Sequence, residues 1–249
     1  MASDRRRLRM VVTTLACLEG DWKQGRESSD RGLEMSPLNP QLLETRVLLE
    51  YETGEFGQGE VYLERLLRGA DLRASSRTCM AIATIAWITG MPDRLEIAEA
   101  TAEAVLSEQP VIPNIAINAK AGLALIAVQK GDQPASAEHY AYFLEQRGTM
   151  IWTLSSVDRL LGLLSQTMGE LDPSAEHFED ALAFCRKAGY RPELAGSFCD
   201  YSDMLRDRDA AGDRAKAIAL LDESLSISSE LDMRPLMERV LARKLELQG

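Results

Sequence analysis

The chain has 249 residues, 45% of them apolar but only 6% aromatic, and a formal net charge of −11. That charge argues against a nucleic-acid-binding surface, because neutralising phosphates takes clustered Lys and Arg. The shortage of aromatics, beside abundant Ala and Leu, favours close-packed helices over sheets.

No apolar stretch reaches the roughly 18 residues that would suggest a membrane span. Cys17, Cys79, Cys185 and Cys199 form no C-x-x-C pair and sit inside apolar helical patterns. They read as small core residues in a reducing, cytoplasmic setting.

At the N-terminus, Arg5, Arg6, Arg7 and Arg9 precede an apolar run from Met10 to Cys17. The order loosely mimics a secretory or lipoprotein signal. The run is short, carries two threonines and fits the helical register of the first repeat, so it reads as part of that repeat, and the arginines before it read as a solvated first helical turn rather than a polyanion contact.

Six glycines then mark a period: Gly20, Gly54, Gly90, Gly131, Gly169 and Gly212, spaced by 34, 36, 41, 38 and 43 residues. Five are followed by an acid, as in Gly20-Asp21 and Gly131-Asp132. Glycine takes the left-handed conformation that closes a helix. The acid can cap the next helix or complement its dipole. Apolar residues recur at helical spacing on both sides, for example Leu160, Leu161, Leu163 and Leu164 before Gly169, and Ala175, Phe178, Ala181 and Leu182 after it. Ser136-Ala137-Glu138-His139-Tyr140 and Ser174-Ala175-Glu176-His177-Phe178 match each other 38 residues apart. Pro92, Pro134, Pro173, Pro192 and Pro235 fall where helices should begin.

The pattern Gly20-Asp21-Trp22, then Gly25, Gly32 and Pro37, resembles the tetratricopeptide repeat, and Gly54-Glu55-Phe56 with Gly59 continues it. Later repeats are longer and lose the aromatic. Ala175 to Leu182, running on to Gly189-Tyr190-Arg191-Pro192-Glu193-Leu194, is similar to the repeat region of large bacterial signalling ATPases of the LuxR, MalT-like and cyclase-linked kinds. So is Gly212 to Ala217, running on to Pro235-Leu236. No phosphate-loop motif and no Gly-Lys pair occur. The resemblance implies an all-α, right-handed α-solenoid of six helical hairpins plus a C-terminal helix. It is expected as a single domain over 1–249, with repeats near 5–38, 39–73, 75–109, 111–148, 150–189 and 191–231, and a last helix over 234–248.

In such a stack the first helix of each hairpin lines the concave side. The glycine register places Arg7, Met10 and Thr14 there in the first repeat. Gln41, Glu44, Leu48 and Tyr51 take the same place in the second, and Arg77, Met80, Thr84 and Trp87 in the third. Asn118, Leu125, Arg159 and Gln166 come from the fourth and fifth. The mixture of apolar anchors, adaptable Met, and Arg and amide donors suits a peptide or helix. Arg77, Arg159 and Asn118 are the expected anion-friendly points. The family's chaperone-tail clamp of Lys, Asn and Arg is not expected, because the matching positions hold Met10, Thr14 and Leu48.

Catalytic and metal chemistry find no footing in the sequence. Ser174, His177 and Asp180 lie on one helix, whereas a nucleophilic triad needs separately held partners. His139 and His177 stand in different repeats, and no acid or cysteine accompanies them at a standard ligand spacing. The expectation is a non-enzymatic, cytoplasmic scaffold for a protein or peptide, without cofactor, nucleic-acid or membrane partner, able to self-associate through its terminal helices. The alternative is a regulatory region with an enclosed small-molecule pocket.

Overall fold

The computed structural model describes residues 2–69, 71–110, 112–151 and 155–248. The side chains of Arg5 and Arg6 lie outside the described set. Among the described residues the fold is all-α, with thirteen helices in succession. They are α1 Ala2–Glu19, α2 Trp22–Met35, α3 Pro40–Glu52, α4 Phe56–Leu67, α5 Leu72–Thr89, α6 Leu95–Ser107 and α7 Pro113–Lys130. There follow α8 Gln133–Leu144, α9 Val157–Met168, α10 Leu171–Ala188, α11 Arg191–Arg208, α12 Asp213–Glu230 and α13 Arg234–Gln248. A short antiparallel pair, β1 Met150–Ile151 with β2 Ser155–Ser156, precedes α9. The glycine register does not anticipate it.

The chain separates into two compact units, one of residues up to 126 and one of residues 127–151 and 155–249. In the first, α1 packs on α2, α3 on α4 and α5 on α6, and α3 lies against both α1 and α5. In the second, α8 and α10 pack on α9, α11 packs on α10 and α12, and α13 packs on α12. Each unit therefore buries its apolar residues between neighbouring helices. Leu43, Val47, Leu49, Leu63 and Ile82 are buried in the first, and Leu161, Leu164, Phe178, Phe198 and Leu205 in the second.

The turn glycines explain why the helices stop where they do. Gly20, Gly54, Gly90, Gly131 and Gly169 all have positive φ and follow the ends of α1, α3, α5, α7 and α9. Gly212 departs from the pattern: it opens α12, while Asp209 takes the left-handed position that ends α11. Four of the five acids after the glycines divide by length, Asp213 being already inside α12. Asp21 and Asp132 accept hydrogen bonds from the backbone N–H of Gln24 and Ala135. Glu55 and Glu170 make no such cap, as their longer side chains fit the cap poorly, though their charge complements the dipole.

Small residues let the helices approach. A Cβ on Gly59 would stand 2.5 Å from the Tyr51 ring, and one on Gly122 would collide with Cys79 Sγ. A Cβ on Gly162 would meet the Phe178 ring at 2.9 Å. No helix is long and apolar enough to cross a membrane among the described residues.

Candidate binding surface

The first helices of successive hairpins lie side by side within each unit: α1, α3 and α5 in one, α9, α11 and α13 in the other. All the inward residues expected from sequence sit on these helices or on α7. Their exposure sorts them into three groups. Arg7 is exposed. Met10, Thr14, Gln41, Arg77, Thr84, Trp87, Arg159 and Gln166 are half-buried. Glu44, Leu48, Tyr51, Met80, Asn118 and Leu125 are buried.

The buried group corrects the groove assignment. Leu48 and Met80 are each only 2% exposed and belong to the core. The Tyr51 ring fills the space left by Gly59, and its hydroxyl donates to Glu60 Oε1 at 2.5 Å. These residues face neighbouring helices because a first helix packs against the one before it, the one after it and its own partner.

Arg77 and Arg159 need a second correction, since neither is an open anion site. Arg77 donates to the buried carboxylate of Glu44. Arg159 sits between two buried acids of α11: its Nη1 donates to Glu193 Oε2 at 2.5 Å and its Nε to Asp200 Oδ2 at 2.7 Å. From the other side, Arg239 of α13 donates to Asp200 Oδ1 at 3.0 Å. Glu193 also accepts from the Ser156 backbone N–H and hydroxyl. The ladder continues outward with Arg243 to Asp203, Arg206 to Glu246 and Gln166 to Asp207. The acids of α11 are thus flanked by donors from both neighbouring first helices, and the guanidinium charge is spent inside the protein.

A matching cluster lies in the first unit. Glu50 of α3 accepts from Arg26 Nη2 at 2.7 Å and Arg46 Nε at 2.5 Å. Arg46 also pairs with Asp30 and stacks over the Tyr62 ring at 4.6 Å. These arginines hold the Glu50 carboxyl below the usual range against the upward pull of its burial. Local spacing carries a trace of both clusters. Arg46 and Glu50 are an i, i+4 pair, and Glu193 and Asp200, two turns apart, share a face of α11.

Glu44 behaves in the opposite way. Burial pushes its carboxyl up to about 7, despite Arg77. Because the folded state then holds this proton more tightly than the unfolded chain, Glu44 favours folding below its ordinary value near 4.5. That contribution is lost as pH rises to about 7. Melting temperature should therefore fall between pH 5 and 7.5 in the wild type, and Glu44→Gln should flatten that fall. An unchanged slope in the variant would refute this.

The nucleophile candidates are also placed. The Ser174 hydroxyl donates to the Gly162 carbonyl at 2.7 Å, while His177 Nε2 pairs with the Tyr140 hydroxyl at 2.9 Å. Cys17 and Cys79 are buried thiols, both pushed up to about 12 by desolvation. Burial raises Cys185 and Cys199 as well. A thiol so raised stays protonated at neutral pH and is a poor nucleophile.

The terminal helices expose apolar residues: Leu8, Val11 and Leu15 on α1, and Leu241 and Leu245 on α13. Compared with known proteins, the sequence matches no protein-family model and has no significant match among curated proteins.

Proposed function

We propose that the chain is a tetratricopeptide-like scaffold that binds a protein or peptide segment along its first-helix face and carries out no catalysis. The observation that carries this reading is the half-buried row Met10, Thr14, Gln41, Thr84 and Trp87 on the adjacent helices α1, α3 and α5. Met10 and Trp87 offer apolar surface there, and Thr14 and Gln41 a hydroxyl and an amide, while the Thr84 oxygen itself is buried; apolar contact with a few polar groups is the combination that a bound peptide needs for contact and for register. The Arg ladder of the second unit supports a scaffold role differently. By locking the first helices together it gives a rigid surface, which lowers the entropic cost of binding. The engaged Ser174 hydroxyl and the raised thiols support a non-enzymatic role, and reduced, buried cysteines suit the cytoplasm. The resemblance of the Gly189 and Gly212 segments supports a place in a bacterial signalling or transcriptional regulator.

Charge reversal at Arg77 or Arg159 would report on stability rather than binding, because both are paired. The informative variant is Gln41→Lys with Thr14→Arg, which alters the half-buried row and spares the ion pairs. Cross-linking in the native host should show specific partners whose yield drops at least tenfold in this variant, with circular dichroism and melting unchanged. Partners captured equally well by the variant would overturn the groove.

A further inference from the structure

The most informative cluster outside this surface lies where α9 begins and α10 runs past it. Asp158 is the second residue of α9, and His177 and Asp180 are one turn apart on α10. One ligand atom from each lies within 4.8 Å of the others. Spacing along the chain hides this group, since the acid that completes the His-x-x-Asp pair comes from the preceding helix.

Two observations single the cluster out from ordinary surface acids. Asp158 is 2% exposed and His177 4% exposed. Both nevertheless have an unspent ligand atom: Asp158 Oδ1 and His177 Nδ1 have no hydrogen-bond partner among the described residues. Buried polar atoms are paired in the great majority of cases, so two orphaned atoms on residues of one such cluster point to a shared ligand.

The remaining contacts engage the other atom of each side chain and leave these two available. His177 Nε2 lies 2.9 Å from the Tyr140 hydroxyl. Donating Nε2–H to that oxygen leaves the lone pair on Nδ1, the arrangement in which a second partner orients a ligating imidazole. Asp158 Oδ2 accepts the Gly148 backbone N–H at 2.8 Å, which fixes the carboxylate and leaves Oδ1 available. A positive charge already stands here: Arg147 pairs with Asp180, and its Nε lies 3.9 Å from Asp158 Oδ1, beyond hydrogen-bond reach.

We propose that Asp158, His177 and Asp180 form a binding site for a divalent first-row transition ion of the zinc class, which takes the place of Arg147. One imidazole nitrogen with two carboxylates suits such an ion better than Mg²⁺ or Ca²⁺, which prefer all-oxygen shells. Tetrahedral zinc sets its ligands about 3.4 Å apart. Asp180, half exposed, can close that gap once it leaves Arg147, and water completes the shell. The bound ion would tie α9 to α10 within the second unit.

The test uses the full chain titrated with Co²⁺ and then Zn²⁺. One equivalent of Co²⁺ should give a visible d–d absorption that Zn²⁺ removes. Asp180→Asn and His177→Ala should each weaken binding at least tenfold. Arg147→Gln should tighten it, because the competing cation is gone. Asp180 and Arg147 are exposed enough that their variants keep the fold, which circular dichroism verifies. The absence of a stoichiometric cobalt spectrum in both the wild type and Arg147→Gln would overturn the proposal. So would binding that survives Asp180→Asn and His177→Ala unchanged, since that describes an adventitious surface ion.

Discussion

Replacing Arg159 with alanine should lower the unfolding free energy by about 3–5 kcal/mol, because it strands buried acids that the guanidinium now neutralises. Glu193 and Asp200 are almost fully buried, and Arg159 itself is mostly so. Taking carboxylates out of water is costly unless they are paired and hydrogen-bonded. Glu193 would keep the Ser156 hydrogen bonds and Asp200 would keep Arg239, so the loss falls short of two wholly naked charges. Two comparisons sharpen the expectation. Arg239→Ala should cost less, since Asp200 retains Arg159. Arg159→Lys should rescue only part of the loss, because one ammonium cannot present the two directed donors that reach two acids. Urea unfolding of the three variants measures the order. Equal stability of Arg159→Ala and wild type would show that the ladder contributes nothing net.

Glu50→Ala should be comparably severe, again about 3–5 kcal/mol, since it removes the shared acceptor of Arg26 and Arg46. Arg46 is the more exposed to this loss in energetic terms, because its side chain is buried while its other carboxylate partner, Asp30, is half in water. The pH dependence separates this site from Glu44. The Glu50 carboxyl is held below its ordinary value, so its contribution is present above about 4.5 and is lost as pH falls through the folded-state value. Acid should therefore destabilise the wild type more than Glu50→Gln, whereas Glu44 acts in the opposite direction at higher pH. A Glu50→Gln variant with the same acid-unfolding midpoint as wild type would contradict this account.

Local signals in the sequence carry most of the helix layout. A glycine that ends a helix needs positive φ for reasons internal to two or three residues, and five of the six turn glycines end helices in this way. The exception, Gly212, shows the limit of the signal. Asp209 can also reach the left-handed region, so it ends α11 three residues earlier and leaves the glycine to begin α12. The β1–β2 pair escapes a reading of the sequence because two residues per strand carry no legible alternation.

The inward face is less legible. Helical periodicity says which residues share a stripe, but a first helix in a stack has neighbours on several sides. Register alone assigns Leu48, Tyr51 and Met80 to the groove, and packing against adjacent helices claims them instead. The same limit applies to charge. A lone arginine in a groove register reads as a ligand for anions until its neighbours two helices away are known.

Helicity and the positions of the turns follow largely from the order of amino acids alone, because each depends on contacts within a few residues. The pairing of Arg77 with Glu44 and the internal neutralisation of Arg159 are products of the folded chain. So are the two arginines held by each of Glu50 and Asp200, and the meeting of Asp158 with His177 and Asp180. Those outcomes rest on atoms brought within hydrogen-bond or coordination distance from separate helices. The free energy of a charge or a lone pair depends on the partner that arrives from elsewhere in the chain.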